Sequence, residues 1–106
     1  ERGTLALANA TLALLGGAAL EPDAIRIDGS QRGEAYGIPT KAMLAAVRLM
    51  ARREGLLIDP VYSGKAFAGV LAALAEGRLT GDVLFVMTGG TPGLYAYRPA
   101  FGSDRR

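Results

Sequence analysis

Two hydroxyl-bearing turns hold most of the chemistry available to this sequence. The first is Asp59-Pro60-Val61-Tyr62-Ser63-Gly64-Lys65-Ala66; the second is Thr88-Gly89-Gly90-Thr91-Pro92. Each follows an apolar run, Leu56-Leu57-Ile58 in one case and Val83-Leu84-Phe85-Val86-Met87 in the other. Turns of this kind at the ends of adjacent strands would form a ligand site, because open α/β sheets bind ligands beyond their strand ends. Tyr62 falls at a helix start, where the dipole favours an anion, and Lys65 follows one turn on. Together they would lower the phenol pKa and make Tyr62 a proton carrier. The competing reading is a packed tyrosine whose hydroxyl bonds to backbone. Ser63 reads as a helix cap. Thr88 would set a hydroxyl beside bare backbone amides, suited to a ring or an oxyanion, or would close on its own backbone. Tyr36 sits in a loop between Gly33 and Gly37, the setting of a lid or surface residue.

Composition removes several alternatives. A length of 106 residues allows a single domain. Half the residues are hydrophobic and 21% are charged, which describes a core-forming chain. Cysteine and histidine are both absent, so no disulfide framework or thiolate site exists, and a metal would depend on carboxylates that are not clustered. The net charge is +2, with arginines such as Arg26, Arg48, Arg78 and Arg98 scattered along the chain, so no nucleic-acid partner is expected. The apolar stretch from Leu5 to Leu20 is interrupted by Asn9 and Thr11 and is too short for a span, so no membrane partner is expected either. Ser63-Gly64-Lys65-Ala66 fails the phosphate-loop pattern, with Asp59 at its first glycine position and Ala66 at its final hydroxyl position. Gly89-Gly90-Thr91-Pro92-Gly93 does not match a dinucleotide fingerprint.

Periodicity and chain breakers outline the elements around these turns. A helix is expected over Thr4–Leu15, stopped by Gly16-Gly17 and apolar nearly all round, hence covered on more than one face. Ala24 to Asp28 alternates as a short strand, with Ile25 and Ile27 inward. A glycine-rich loop then runs to Pro39, and Thr40 caps a helix to about Arg53 that Gly55 ends. A third helix starts at Tyr62 or Ser63 and runs to Glu76. Asp82 to Met87 reads as a strand buried on both faces, and the tail at 102–106 as frayed. The expected fold class is therefore α/β, a three-layer fragment with a short parallel sheet and flanking helices. So few strands leave much apolar surface uncovered. The chain, a single partial domain over 1–106, is expected to be part of a larger body.

Four motifs in order, Tyr36-Gly37-Ile38-Pro39-Thr40, Ala51-Arg52-Arg53-Glu54-Gly55, Asp59 through Ala66, and Thr88-Gly89-Gly90-Thr91-Pro92, resemble the C-terminal third of the D-cysteine desulfhydrase and 1-aminocyclopropane-1-carboxylate deaminase family. These are pyridoxal-phosphate enzymes of the tryptophan-synthase-β fold type, and the likeness spans Thr4 to Tyr97. It implies that Tyr62 and Tyr36 are the catalytic tyrosines that approach the substrate. It further implies that Thr88, Gly89, Glu54, Gly55 and Ser63 line the pyridoxal 5'-phosphate site, Thr88 facing the ring nitrogen. A neutral hydroxyl there makes the ring a weaker electron sink, which favours rapid expulsion of a β-substituent.

Ser63 and Thr88 stand where the deaminase branch has Glu and Leu, so the resemblance leans to the desulfhydrase. Met87 departs from the family's usual His. The family's Schiff-base lysine and phosphate-gripping loop lie upstream of the matched region, and neither Lys41 nor Lys65 matches that lysine. The implied partners are a small amino acid, the upstream half of the same enzyme and a second copy in a homodimer, in the cytoplasm. The isolated chain is expected to be inactive. The competing readings are a deaminase, or a binding module that keeps the fold without catalysis. A free-standing small α/β domain conflicts with how apolar its surface would be.

Overall fold

A computed structural model describes residues 1–102. Thirteen residues form α1 (Arg2–Leu14), followed by α2 (Lys41–Glu54) and α3 (Ser63–Ala75). A 3-10 segment (Thr91–Tyr97) then leads into a single turn, α4 (Arg98–Phe101). The expected fraying of the tail lies, past Gly102, outside the described residues.

The most sharply bounded element is α2. The Thr40 hydroxyl accepts the Met43 N–H at 3.1 Å, and Gly55 closes the helix in the left-handed conformation at φ 68°. One face of α2 carries Met43, Ala46, Val47 and Met50, all buried. It packs on α3 and on Ile58 from the connection between the two helices. The contact is close because Gly64 opens it. A Cβ on Gly64 would meet the Asp59 carbonyl oxygen and Val47 Cγ2 at 2.8 Å. Leu44, Phe67, Phe85, Leu94 and Phe101 close the cluster, with Phe67 and Phe85 centroids 5.3 Å apart.

The expected parallel sheet is not there: the described residues contain no strand. Of the two apolar runs read as strands, 24–28 exposes Ile27, and 82–87 makes no backbone hydrogen bond to another described segment. A strand exists only through the ladder of a neighbour, and neither run has one here. The run 82–87 nevertheless alternates. Phe85 turns to the core while Leu84 and Val86 stand 88% and 67% exposed, which is the exposure pattern of a strand covered on one face.

The first helix also departs from expectation. It forms almost over the expected span, but none of its residues is buried, and Leu7, Leu14 and Leu15 face outward. It is tied to the chain that follows by Asn9, whose Oδ1 accepts the Leu20 N–H at 2.8 Å, and at its start by the Glu1 carboxylate, which accepts the Ile27 N–H at 3.4 Å. The radius of gyration is 16.2 Å, against about 13 Å for a compact domain of this length. No helix among the described residues is long and apolar enough to cross a membrane.

Candidate active site

An open cleft of about 1090 Å³ lies over the start of α3. Its lining draws Tyr36 from the glycine-rich loop, Tyr62 and Ser63 from the α3 start, and Thr88 from the turn after the apolar run. Four of the seven residues singled out in the sequence thus meet around one space. Gly89 follows Thr88 at φ 103° with nothing within 4 Å of where a Cβ would stand, so that side of the turn offers bare backbone. Glu54 and Gly55 do not line the cleft; they end α2 instead.

The two phenols pair. The Tyr36 and Tyr62 hydroxyl oxygens are 2.5 Å apart, either able to donate, and the rings meet edge to face with centroids 5.9 Å apart. The Tyr62 phenol is held above the ordinary value. The hydrogen bond to Tyr36 is the largest cause, followed by the charge Tyr36 can carry, by burial and by the Asp59 carboxylate. This reverses the sequence expectation of a lowered pKa, for two reasons visible at α3.

The N–H groups at the α3 start do not face Tyr62's phenol; they are taken by Asp59. Its Oδ2 accepts from the Val61 and Tyr62 N–H at 2.9 and 2.6 Å, and its Oδ1 from Ser63 N–H at 2.8 Å. Nor does Lys65 serve the phenol. Its Nζ donates to the carbonyls of Arg32 at 2.7 Å and Ala35 at 3.4 Å.

Asp59 is the residue that sequence reasoning missed. It is 2% exposed, and it caps α3 in place of Ser63. Burial pushes its carboxyl up, but the N–H groups of Tyr62 and Ser63, the Ser63 side chain and the Val61 N–H together bring it below the usual 3.8. An Asp-Pro pair ahead of an apolar helix is the signal that could have found it, since Asp is a favoured cap. The same carboxylate abuts the second turn. A Cβ on Gly90, at φ 85°, would lie 3.2 Å from Asp59 Cγ. One side chain therefore fixes the start of the Tyr62 helix and the approach of the Thr88 turn. Thr91 adds a second tie, its hydroxyl donating to the Leu57 carbonyl at 3.2 Å. Arg26, Arg32 and Arg78, scattered in sequence, also line the cleft, together with Asp28, which pairs with Arg78 at 3.3 Å.

The chain belongs to the pyridoxal-phosphate-dependent enzymes: the family model described as "Pyridoxal-phosphate dependent enzyme" matches residues 4–89. Among curated proteins it is 52% identical over 66 residues to D-cysteine desulfhydrase of Serratia proteamaculans, covering 60% of this chain and 20% of that protein. The D-cysteine desulfhydrase of Yersinia enterocolitica is also 52% identical over 66 residues, and that of Yersinia pestis 48%, with the same coverage. The chain spans about a fifth of the length of these relatives.

Proposed function

We propose that this chain is the tyrosine-bearing part of a pyridoxal-phosphate-dependent lyase that breaks D-cysteine down to pyruvate, sulfide and ammonia, with one water consumed. The paired phenols of Tyr36 and Tyr62 on the cleft are the observation that carries this reading. The desulfhydrase relatives supply the substrate class.

The cleft residues suit one edge of the cofactor. Thr88 offers a neutral hydroxyl for the ring nitrogen, and Gly89 a bare backbone against the ring. The start of α3 does not suit the phosphate, because Asp59 already occupies its N–H groups. Neither lysine suits the covalent link: Lys65 is engaged by loop carbonyls, and Lys41 is exposed at the α2 start, off the cleft. The phosphate grip and the lysine therefore belong to the upstream half of the enzyme, and the tryptophan-synthase-β type of fold, with its sheet, is completed there.

Pyridoxal phosphate, when bound, supplies the electron sink at the substrate's α-carbon. Tyr62, a neutral phenol on the cleft, gives its proton to the departing sulfur. Tyr36, hydrogen-bonded to the same oxygen, orients the Tyr62 phenol for that transfer. Thr88 would meet the ring nitrogen with a neutral hydroxyl, which, unlike a carboxylate, would not hold it protonated, a setting that would favour expulsion of the β-substituent. Ser63, its side chain bonded to Asp59, is the cleft residue next to Tyr62.

The test is pyruvate and sulfide release from D-cysteine by the chain assembled with its upstream segment. Turnover that disappears with either Tyr→Phe replacement supports the reading. Turnover of 1-aminocyclopropane-1-carboxylate instead would assign the deaminase reaction. Pyruvate release by the 106 residues alone would overturn the division of labour.

A further inference from the structure

Tyr36 is 76% exposed, so packing does not hold it, and its loop carries Gly29, Gly33 and Gly37. Two distant side chains hold its backbone instead. On one side, Lys65 Nζ donates to the Arg32 carbonyl at 2.7 Å and to the Ala35 carbonyl, in the peptide that enters Tyr36, at 3.4 Å. On the other, the Tyr97 hydroxyl donates to the Gly37 carbonyl at 2.6 Å.

We propose that Lys65 and Tyr97 are positioning residues that clamp the Tyr36 backbone from both sides and so bring its phenol to Tyr62. Lys65 lies three residues beyond Tyr62 on α3, on the face that i and i+3 share. A single turn of helix thus presents one phenol and grips the backbone of the other. A lysine is well matched to such a grip, since its stem reaches across the gap and its three donors satisfy more than one carbonyl. The residue is buried, and no ion pair among the described residues includes it. The loop closes on the ammonium at Gly33, where a Cβ would lie 2.7 Å from Thr40 Cγ2 and 3.5 Å from Lys65 Nζ. Tyr97 comes from the 3-10 segment, so the clamp joins three parts of the chain distant in sequence.

The inference deepens the proposed role of the two phenols and rests on it, but its readout does not depend on turnover. It is tested on the chain assembled with its upstream segment, without substrate, by spectroscopic titration of the tyrosines. Tyr62→Phe identifies the phenol that titrates high, and Tyr36→Phe brings that phenol back toward its ordinary value. Lys65→Met and Tyr97→Phe are expected to do the same, and neither is expected to add anything in the Tyr36→Phe background. Tyr97→Phe removes a single oxygen and keeps the test valid where Lys65→Met fails to fold, with helical circular dichroism as the check. In the active enzyme both variants lower kcat by roughly 10- to 100-fold and leave KM nearly unchanged, as a small misplacement does. A Tyr62 that still titrates high in both variants would overturn the clamp. Loss of the high titration without loss of turnover would instead count against the catalytic role of the phenols and leave the clamp standing.

Discussion

The hydroxyls of Tyr36 and Tyr62 lie 2.5 Å apart although 26 residues separate them and each residue is more than half exposed. Exposed rings contribute little to a core, so their pairing is a property of the site and not of the fold. Replacing either with Phe is therefore expected to leave helicity and unfolding midpoint almost unchanged. D-cysteine turnover in the assembled enzyme should fall by roughly 100- to 10,000-fold, the range for losing a proton-transfer group. Pyruvate assays beside circular dichroism separate the two effects.

Asp59 has the opposite profile. Removing it leaves three buried or partly buried N–H groups without their acceptor, and Asp59→Ala is expected to cost about 2 kcal/mol or more. Its carboxyl is lowered in the folded chain, so its contribution is fully present above the unfolded pKa and is lost as pH falls through the folded one. Denaturant titrations at neutral and acid pH should show wild-type stability dropping on acidification and Asp59→Asn dropping less.

Two glycines of α3 should respond with opposite sign. At Gly64 an added Cβ would meet the Asp59 carbonyl and Val47 at 2.8 Å, and Gly64→Ala is expected to destabilise by about 1–3 kcal/mol. At Gly69 the nearest atom is Gln31 Cγ at 3.5 Å, an ordinary contact, so Gly69→Ala should stabilise by about 0.5–1 kcal/mol through helix propensity. Unfolding midpoints of the pair decide it.

The apolar run 83–87 offers unpaired backbone and bare side chains together, a combination that invites strand pairing. Leu84, the most exposed of them, is the place to block it. Leu84→Lys is expected to reduce self-association of the isolated chain in sedimentation experiments without changing its helical content. Binding to the upstream segment should weaken with it.

What could be read in the sequence was local. Thr40 and Gly55 bracket α2 because a cap and a left-handed glycine act within a few residues, and Gly16 stops α1 for the same reason. The four motifs single out the tyrosines and Thr88 without any geometry. The sheet was out of reach because a ladder depends on a partner strand, and the continuous apolar run 82–87, read as buried on both faces, leaves Leu84 and Val86 bare here. The direction of the Tyr62 shift was misjudged because dipole and lysine were placed by spacing alone. Spacing could not reveal that Asp59 takes the N–H groups and that loop carbonyls take Lys65.

The sequence holds two lysines, and one is locked inside the clamp. Lys41 is exposed at the outer start of α2, away from the cleft. Of the two lysines, amine-directed labels should therefore mark Lys41 in the folded chain, leaving Lys65 untouched until it unfolds. The molecule carries its own chemical handle, one that can anchor it to a surface with the tyrosines left open, or report unfolding by the appearance of a further tag in its mass.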